Sequence, residues 1–167
     1  MISNREVLLT QEQAEDRLRY WQGRLGLLDW DIQIVVCRAK EINGGEGQCY
    51  YQEAYRQARI WITDKTDHDP VIPQPLDMEQ TLVHELSHIV LAGITRGITK
   101  ADTLDQYNYM EIACESFAWA LVGLDRRAEE IENFYMDLED STPPLSLMAG
   151  DMYGHTRTVD QEDGGQL

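Results

Sequence analysis

The run His84-Glu85-Leu86-Ser87-His88 constrains this chain more than any other feature of it. Residues four apart meet on one face of a helix, so the two imidazoles converge only if this segment is helical. The flanking residues supply that helix. Asp77 stands as an N-cap with Gln80 three residues later, which is a capping-box spacing. Leu82, Val83, Leu86, Ile89 and Val90 then carry an apolar face towards Gly93, a suitable C′ residue. Two imidazoles and a carboxylate against an apolar wall are costly to bury without partners. A solvated helix face would avoid that cost, but the surrounding aliphatic residues argue against one. A metal ion satisfies both rings. Zinc accepts imidazole nitrogens at about 2.0–2.1 Å, and catalytic sites leave one position to water. Glu85 follows the first ligand, where a carboxylate can take the proton of that water as it attacks a carbonyl.

A third ligand has to come from elsewhere, because residues 92–104 contain no histidine. Glu111 and Glu115 are the next candidates, one turn apart on the same face of a second helix expected over 105–124. One can bind the ion while the other accepts the free N–H of a ligand histidine. A glutamate pair on a helix is usually a solvated face, but Ile112, Phe117, Ala118, Trp119, Leu121 and Val122 describe a largely buried helix here. Cys114 is a competing ligand type, set off the 111/115 face by about 100° per residue step. Tyr107 and Tyr109 precede Glu111 and His155 lies far downstream; each is a candidate oxyanion donor, although ordinary aromatic roles outweigh that reading. His68, between Asp67 and Asp69, reads as a solvated loop histidine.

The rest of the chain supplies the frame. Thr10 and Gln13 form a capping-box pattern, followed by Ala14, Leu18, Trp21 and Leu25 at helical spacing and Gly26 as a stop. Trp30 to Cys37 reads as a strand, and Gln48–Tyr55 and Ala58–Thr63 read as two more, joined as a hairpin near Arg56-Gln57. A Pro-rich loop, 64–75, leads to the histidine helix, and a short acidic helix is expected from Asp125 to Leu138. The expected class is α+β, with an N-terminal helix, a small twisted sheet of about three strands and two metal-binding helices. Residues 1–139 read as one domain, and 140–167 as an acidic tail, either flexible or bound to a partner.

Charge and cysteine usage narrow the partners. With 14 basic and 30 acidic residues the formal charge is -16, which disfavours phosphate backbones and so nucleic acid. Cys37, Cys49 and Cys114 are odd in number and lack a C-x-x-C pair, a pattern suited to a reducing compartment. The N-terminal residues lack the apolar length and cleavage site of a signal peptide. No stretch approaches the roughly 20 apolar residues that span a bilayer. A cytoplasmic location without membrane association is expected.

Val83-His84-Glu85-Leu86-Ser87-His88 followed by Glu111-x-x-Cys114-Glu115-x-Phe117-Ala118-x-x-Leu121 resembles the gluzincin zinc metallopeptidases. More narrowly, it is similar to the compact ImmA/IrrE type common in phages and mobile elements, and the strands ahead of the metal helix also resemble the SprT-like group. The resemblance spans roughly residues 28 to 124. It departs where Cys114-Glu115 replaces the usual Ala-Asn, and where Leu121-Val122-Gly123 replaces Leu-Met-Pro. It implies a zincin-like fold, zinc as the cofactor, Glu111 as third ligand, and Glu115 as the carboxylate that orients a ligand histidine. It also implies that Ala58, Arg59, Ile60, Trp61 and Ile62 form the edge strand facing a protein or peptide substrate. A non-catalytic alternative is a structural or adaptor protein, such as a phage-particle component in the virion bound to other phage structural proteins, that keeps zinc for stability.

Overall fold

The N-terminal helix begins as its cap pattern requires. Thr10 Oγ1 accepts from the Gln13 amide, the Gln13 side chain accepts from the Thr10 amide, and helix α1 runs Gln11–Arg24. A computed structural model describes residues 6–42, 44–67, 75–95 and 104–141. Ala14, Leu18 and Trp21 are the buried face of α1, and Gly26 turns the chain away at φ +70°. Three strands follow, β1 (Asp31–Cys37), β2 (Gly47–Gln52) and β3 (Gln57–Thr63). They form one mixed sheet in the order β1-β3-β2, with β1 parallel and β2 antiparallel to β3. The α+β class and the three strands agree with the sequence pattern.

Strand order differs from expectation in one consequential way. Ala58–Ile62 lies in the central strand, paired with β1 on one side and β2 on the other, so it is not an edge. The reason is burial. Ala58, Ile60 and Ile62 are all buried, and a strand this apolar is best covered with a neighbour on each side. The run expected to continue to Tyr55 stops at Gln52, because Glu53–Tyr55 coils into a 3₁₀ turn. Arg56, at φ 50°, completes the reversal.

The two sheet faces have different roles. Ile34 and Ile60 are register partners in the core, as are Ile60 and Cys49. The alternate positions Gln33, Arg59 and Tyr50 are exposed, and Arg59 Nη2 donates to Gln33 Oε1 at 2.7 Å. Helix α1 packs against β1, and helix α2 (Met78–Val90) packs against β2 and β3. Trp21, Ile60, Ile62, Leu82, Val83 and Leu86 form the centre of this core. Helix α2 is capped by Asp77, whose Oδ1 accepts the Gln80 amide at 3.0 Å. It ends at Leu91, short of Gly93, and a single turn, α3 (Ala92–Thr95), follows.

Helix α4 runs without interruption over Leu104–Ser141, where the sequence suggested two helices meeting at Asp125. Asp125 and Arg126 look like a polar break, yet both are buried and paired. Arg126 donates to both Asp77 carboxylate oxygens at 2.6 and 2.9 Å and to Glu79 Oε2 at 3.1 Å. Asp125 accepts from Tyr20 and from Arg17, the latter at 3.2 Å. Trp21 Nε1 adds a bond to Glu79 Oε1 at 3.0 Å. These partners satisfy the charges inside the protein, so the helix has no cause to stop. The chain divides into two compact units, Met1–Arg127 and Ala128–Leu167. Among the described residues of the second, Ile131, Phe134, Tyr135 and Met136 are exposed. No helix among the described residues is long and apolar enough to cross a membrane.

Candidate metal centre

His84 and His88 leave α2 one turn apart, their ring centroids 5.1 Å from each other. Glu111 and Glu115 meet them from α4. Glu111 Oε2 lies 3.3 Å from His84 Nε2 and 3.8 Å from His88 Nε2, and ligand atoms of the three residues lie within 4.8 Å of one another. Tetrahedral ligands at about 2.0–2.1 Å from one ion stand roughly 3.3–3.4 Å apart. The three residues therefore fit a single metal ion with small side-chain adjustments. Glu115 has the complementary place, its Oε2 3.0 Å from His84 Nδ1. Trp119 Nε1 steadies it by donating to Oε1 at 2.7 Å.

The charges interlock. Burial would lower the His84 pKa, but hydrogen bonds to Glu111 and Glu115 outweigh it and raise the imidazole to about 10. The same bonds from His84 hold both carboxyls below their usual range against the opposing effect of burial. Burial lowers the His88 pKa, so that ring stays neutral near pH 7. Glu85, 6% exposed, is pushed up to about 7 by burial, with the His84 charge opposing and Glu111 adding. A bound cation would displace the proton between His84 and Glu111.

The remaining candidates separate clearly. Tyr107 is half-buried at the site, its hydroxyl bonded to Glu111 and raised to about 12, chiefly by burial. Tyr109, two residues along the helix, is 71% exposed. His68 and His155 lie outside the described residues. Cys114 corrects the sequence reading: it is fully buried and its Sγ lies 3.5 Å from His88 Nδ1. The helical arithmetic was available, since Cys114 is three residues from Glu111 and i,i+3 neighbours share a face. Burial, followed by the nearby carboxylates, pushes the Cys114 thiol up to about 12.

Gly47 is the site residue that sequence reasoning missed. It opens β2 beside a cleft that Glu46, Gln80, Thr81, His84, Glu85, Glu111 and Glu115 also line. A Cβ at Gly47 would lie 2.5 Å from Glu85 Oε1, 2.7 Å from Thr81 Cγ2 and 3.0 Å from Glu85 Cγ. The glycine sits in a run that reads as a turn, Gly44-Gly45-Glu46-Gly47. Its role is instead close approach, because it permits bare backbone to lie against Glu85. Among the described residues β2 pairs only with β3, so the free sheet edge beside the cleft belongs to β2.

Compared with known protein families, with curated proteins and with solved structures, the chain matches none of the three.

Proposed function

We propose that the protein is a zinc-dependent peptidase in which Glu85 is the general base. The observation that carries this reading is the ligand set. His84, His88 and Glu111 offer three ligand atoms within 4.8 Å of one another, and His84 and Glu111 line a cleft with the buried Glu85 carboxylate. Structural zinc sites are closed by four protein ligands, whereas catalytic sites use three and leave a position for water. Zinc held by these residues would lower the pKa of its water to about 7 and polarise the scissile carbonyl. Glu85 takes the proton as the carbonyl is attacked and passes it to the departing amine. Glu115 holds His84 by its Nδ1, and Tyr107 holds Glu111. The free edge of β2, starting at Gly47, offers backbone groups to an extended substrate segment. Glu111 beside both imidazoles and Glu115 at His84 Nδ1 add support. The acidic chain disfavours nucleic acid as a partner, and three free cysteines suit a reducing compartment such as the cytoplasm.

A second reading is a non-catalytic structural or adaptor protein. It is favoured by one observation: the ligands come from two helices, so a bound ion ties α4 to α2 whether or not turnover occurs. Elemental analysis of the protein and its Glu85→Gln variant, with casein cleavage by both, separates the readings. Zinc in both with cleavage only by the parent supports the peptidase. Zinc in both without cleavage favours the structural role, and no zinc in either after zinc is supplied refutes both.

A further inference from the structure

The two ligand histidines are held from behind by different chemistry. A histidine that binds a metal through Nε2 presents its Nδ1 N–H to an outer partner, usually a carboxylate, a carbonyl or water. His84 follows that rule with Glu115. Behind His88 stands a buried sulfur, Cys114 Sγ, 3.5 Å from Nδ1. Cys114 has no exposed surface, so water does not compete for this place. His88 Nε2, meanwhile, faces Glu111 Oε2 at 3.8 Å. That is too long for a hydrogen bond, so no acceptor there draws the ring proton to Nε2.

We infer that Cys114 is a positioning residue whose sulfur accepts the His88 Nδ1–H and keeps the Nε2 lone pair aimed at the ion. This rests on the metal reading above and extends it to a residue that is itself no ligand. Sulfur is a weak acceptor, so Cys114 lends His88 less basicity than the Glu115 carboxylate lends His84. His88 is therefore the weaker donor of the two, and an ion held there would keep more of its charge for a water and a carbonyl. Cys114 and Glu115 share a helix face with Glu111, at i+3 and i+4 from it. One turn of α4 thus supplies a ligand and both outer partners.

The test uses the full chain with Cys114→Val, which keeps bulk but removes the acceptor, and Cys114→Ser, which keeps a polar acceptor. Nitrogen-15 correlation spectra of the metal-free protein read the His88 tautomer, and competition with a chromophoric chelator reads zinc affinity. The parent is expected to carry its proton on Nδ1, Cys114→Val to lose that preference, and Cys114→Ser to retain it. Zinc affinity of the Val variant should fall at least about tenfold, the usual effect of removing an outer partner. The Ser variant should bind several-fold more tightly than the Val variant. An Nε2–H tautomer in the parent overturns the inference, as does a Val variant with parental tautomer and affinity. If no variant binds zinc, the metal reading falls and the tautomer alone decides the role of Cys114. Unchanged far-UV circular dichroism excludes misfolding, and should the Val variant fail to fold, the parent tautomer and the Ser variant still decide.

Discussion

Gly47→Ala isolates the closest approach in the site. Gly47 does not have a positive φ, so alanine can adopt its backbone and the effect is steric. The added Cβ would meet Glu85 Oε1 at 2.5 Å and Thr81 Cγ2 at 2.7 Å, where ordinary contact begins near 3.4 Å. A shift of up to about 0.9 Å is therefore needed. Turning the Glu85 carboxylate does not suffice, because Glu85 Cγ is also at 3.0 Å and Thr81 is held by the hydrogen bond its Oγ1 donates to Asp77 O at 3.2 Å. The end of β2 has to lift from α2. Overpacking of this size costs about 1–3 kcal/mol, offset by roughly 0.4–1 kcal/mol from the less flexible unfolded chain. The expected net loss is about 1–2 kcal/mol, or a melting point lower by roughly 2–8 °C for a chain of this size. Lifting β2 also admits water to Glu85, so its pKa should fall from about 7 towards the ordinary 4.5. Urea unfolding followed by circular dichroism measures the first effect, and carboxyl carbon-13 titration the second. In a Thr81→Ala/Glu85→Ala background the substitution should cost almost nothing. The reasoning is refuted if Gly47→Ala matches the parent in stability, or if its cost survives removal of both neighbours.

Three further expectations concern the metal and the frame. Zinc should raise the melting temperature of the parent and not of His84→Ala or His88→Ala, and Glu111→Gln should weaken zinc binding much more than Glu115→Gln; the reverse ranking, read by chelator competition, would exchange the roles of the carboxylates. In the metal-free protein the His84 pKa, raised from 6.5 to about 10, contributes stability that is complete below pH 6.5 and lost as pH rises through 10. Thermal melts in chelator should therefore decline across that window, while zinc affinity rises with pH because binding expels the His84 proton; a flat profile in both would contradict the assigned hydrogen bonds. Arg126→Met should cost about 3–5 kcal/mol in urea unfolding, since it leaves Asp77 buried without its cation while Glu79 keeps Arg17, and a loss below about 1 kcal/mol would show the network to be solvated.

The features legible in the sequence were those governed by short-range geometry. Thr10 with Gln13, and Asp77 with the Gln80 amide, mark helix starts because a cap involves residues only three apart. His84 and His88 face one way because any helix puts them there, and Glu111 and Glu115 share a face for the same reason. What the tertiary structure decided depends on partners distant in the chain. Ala58–Ile62 alternates like any half-buried strand, and only pairing with β1 on one side and β2 on the other makes it central. Asp125-Arg126 reads as a break until Arg17, Tyr20, Asp77 and Glu79 neutralise it and α4 continues. Gly47 looks like one more turn glycine until Glu85, 38 positions away, comes to lie against it. Periodicity specifies which side of a helix or strand a residue occupies. Which neighbour then covers that side is set by how the apolar faces of α1, α2 and the sheet are buried together, a property of the whole core that no local window contains.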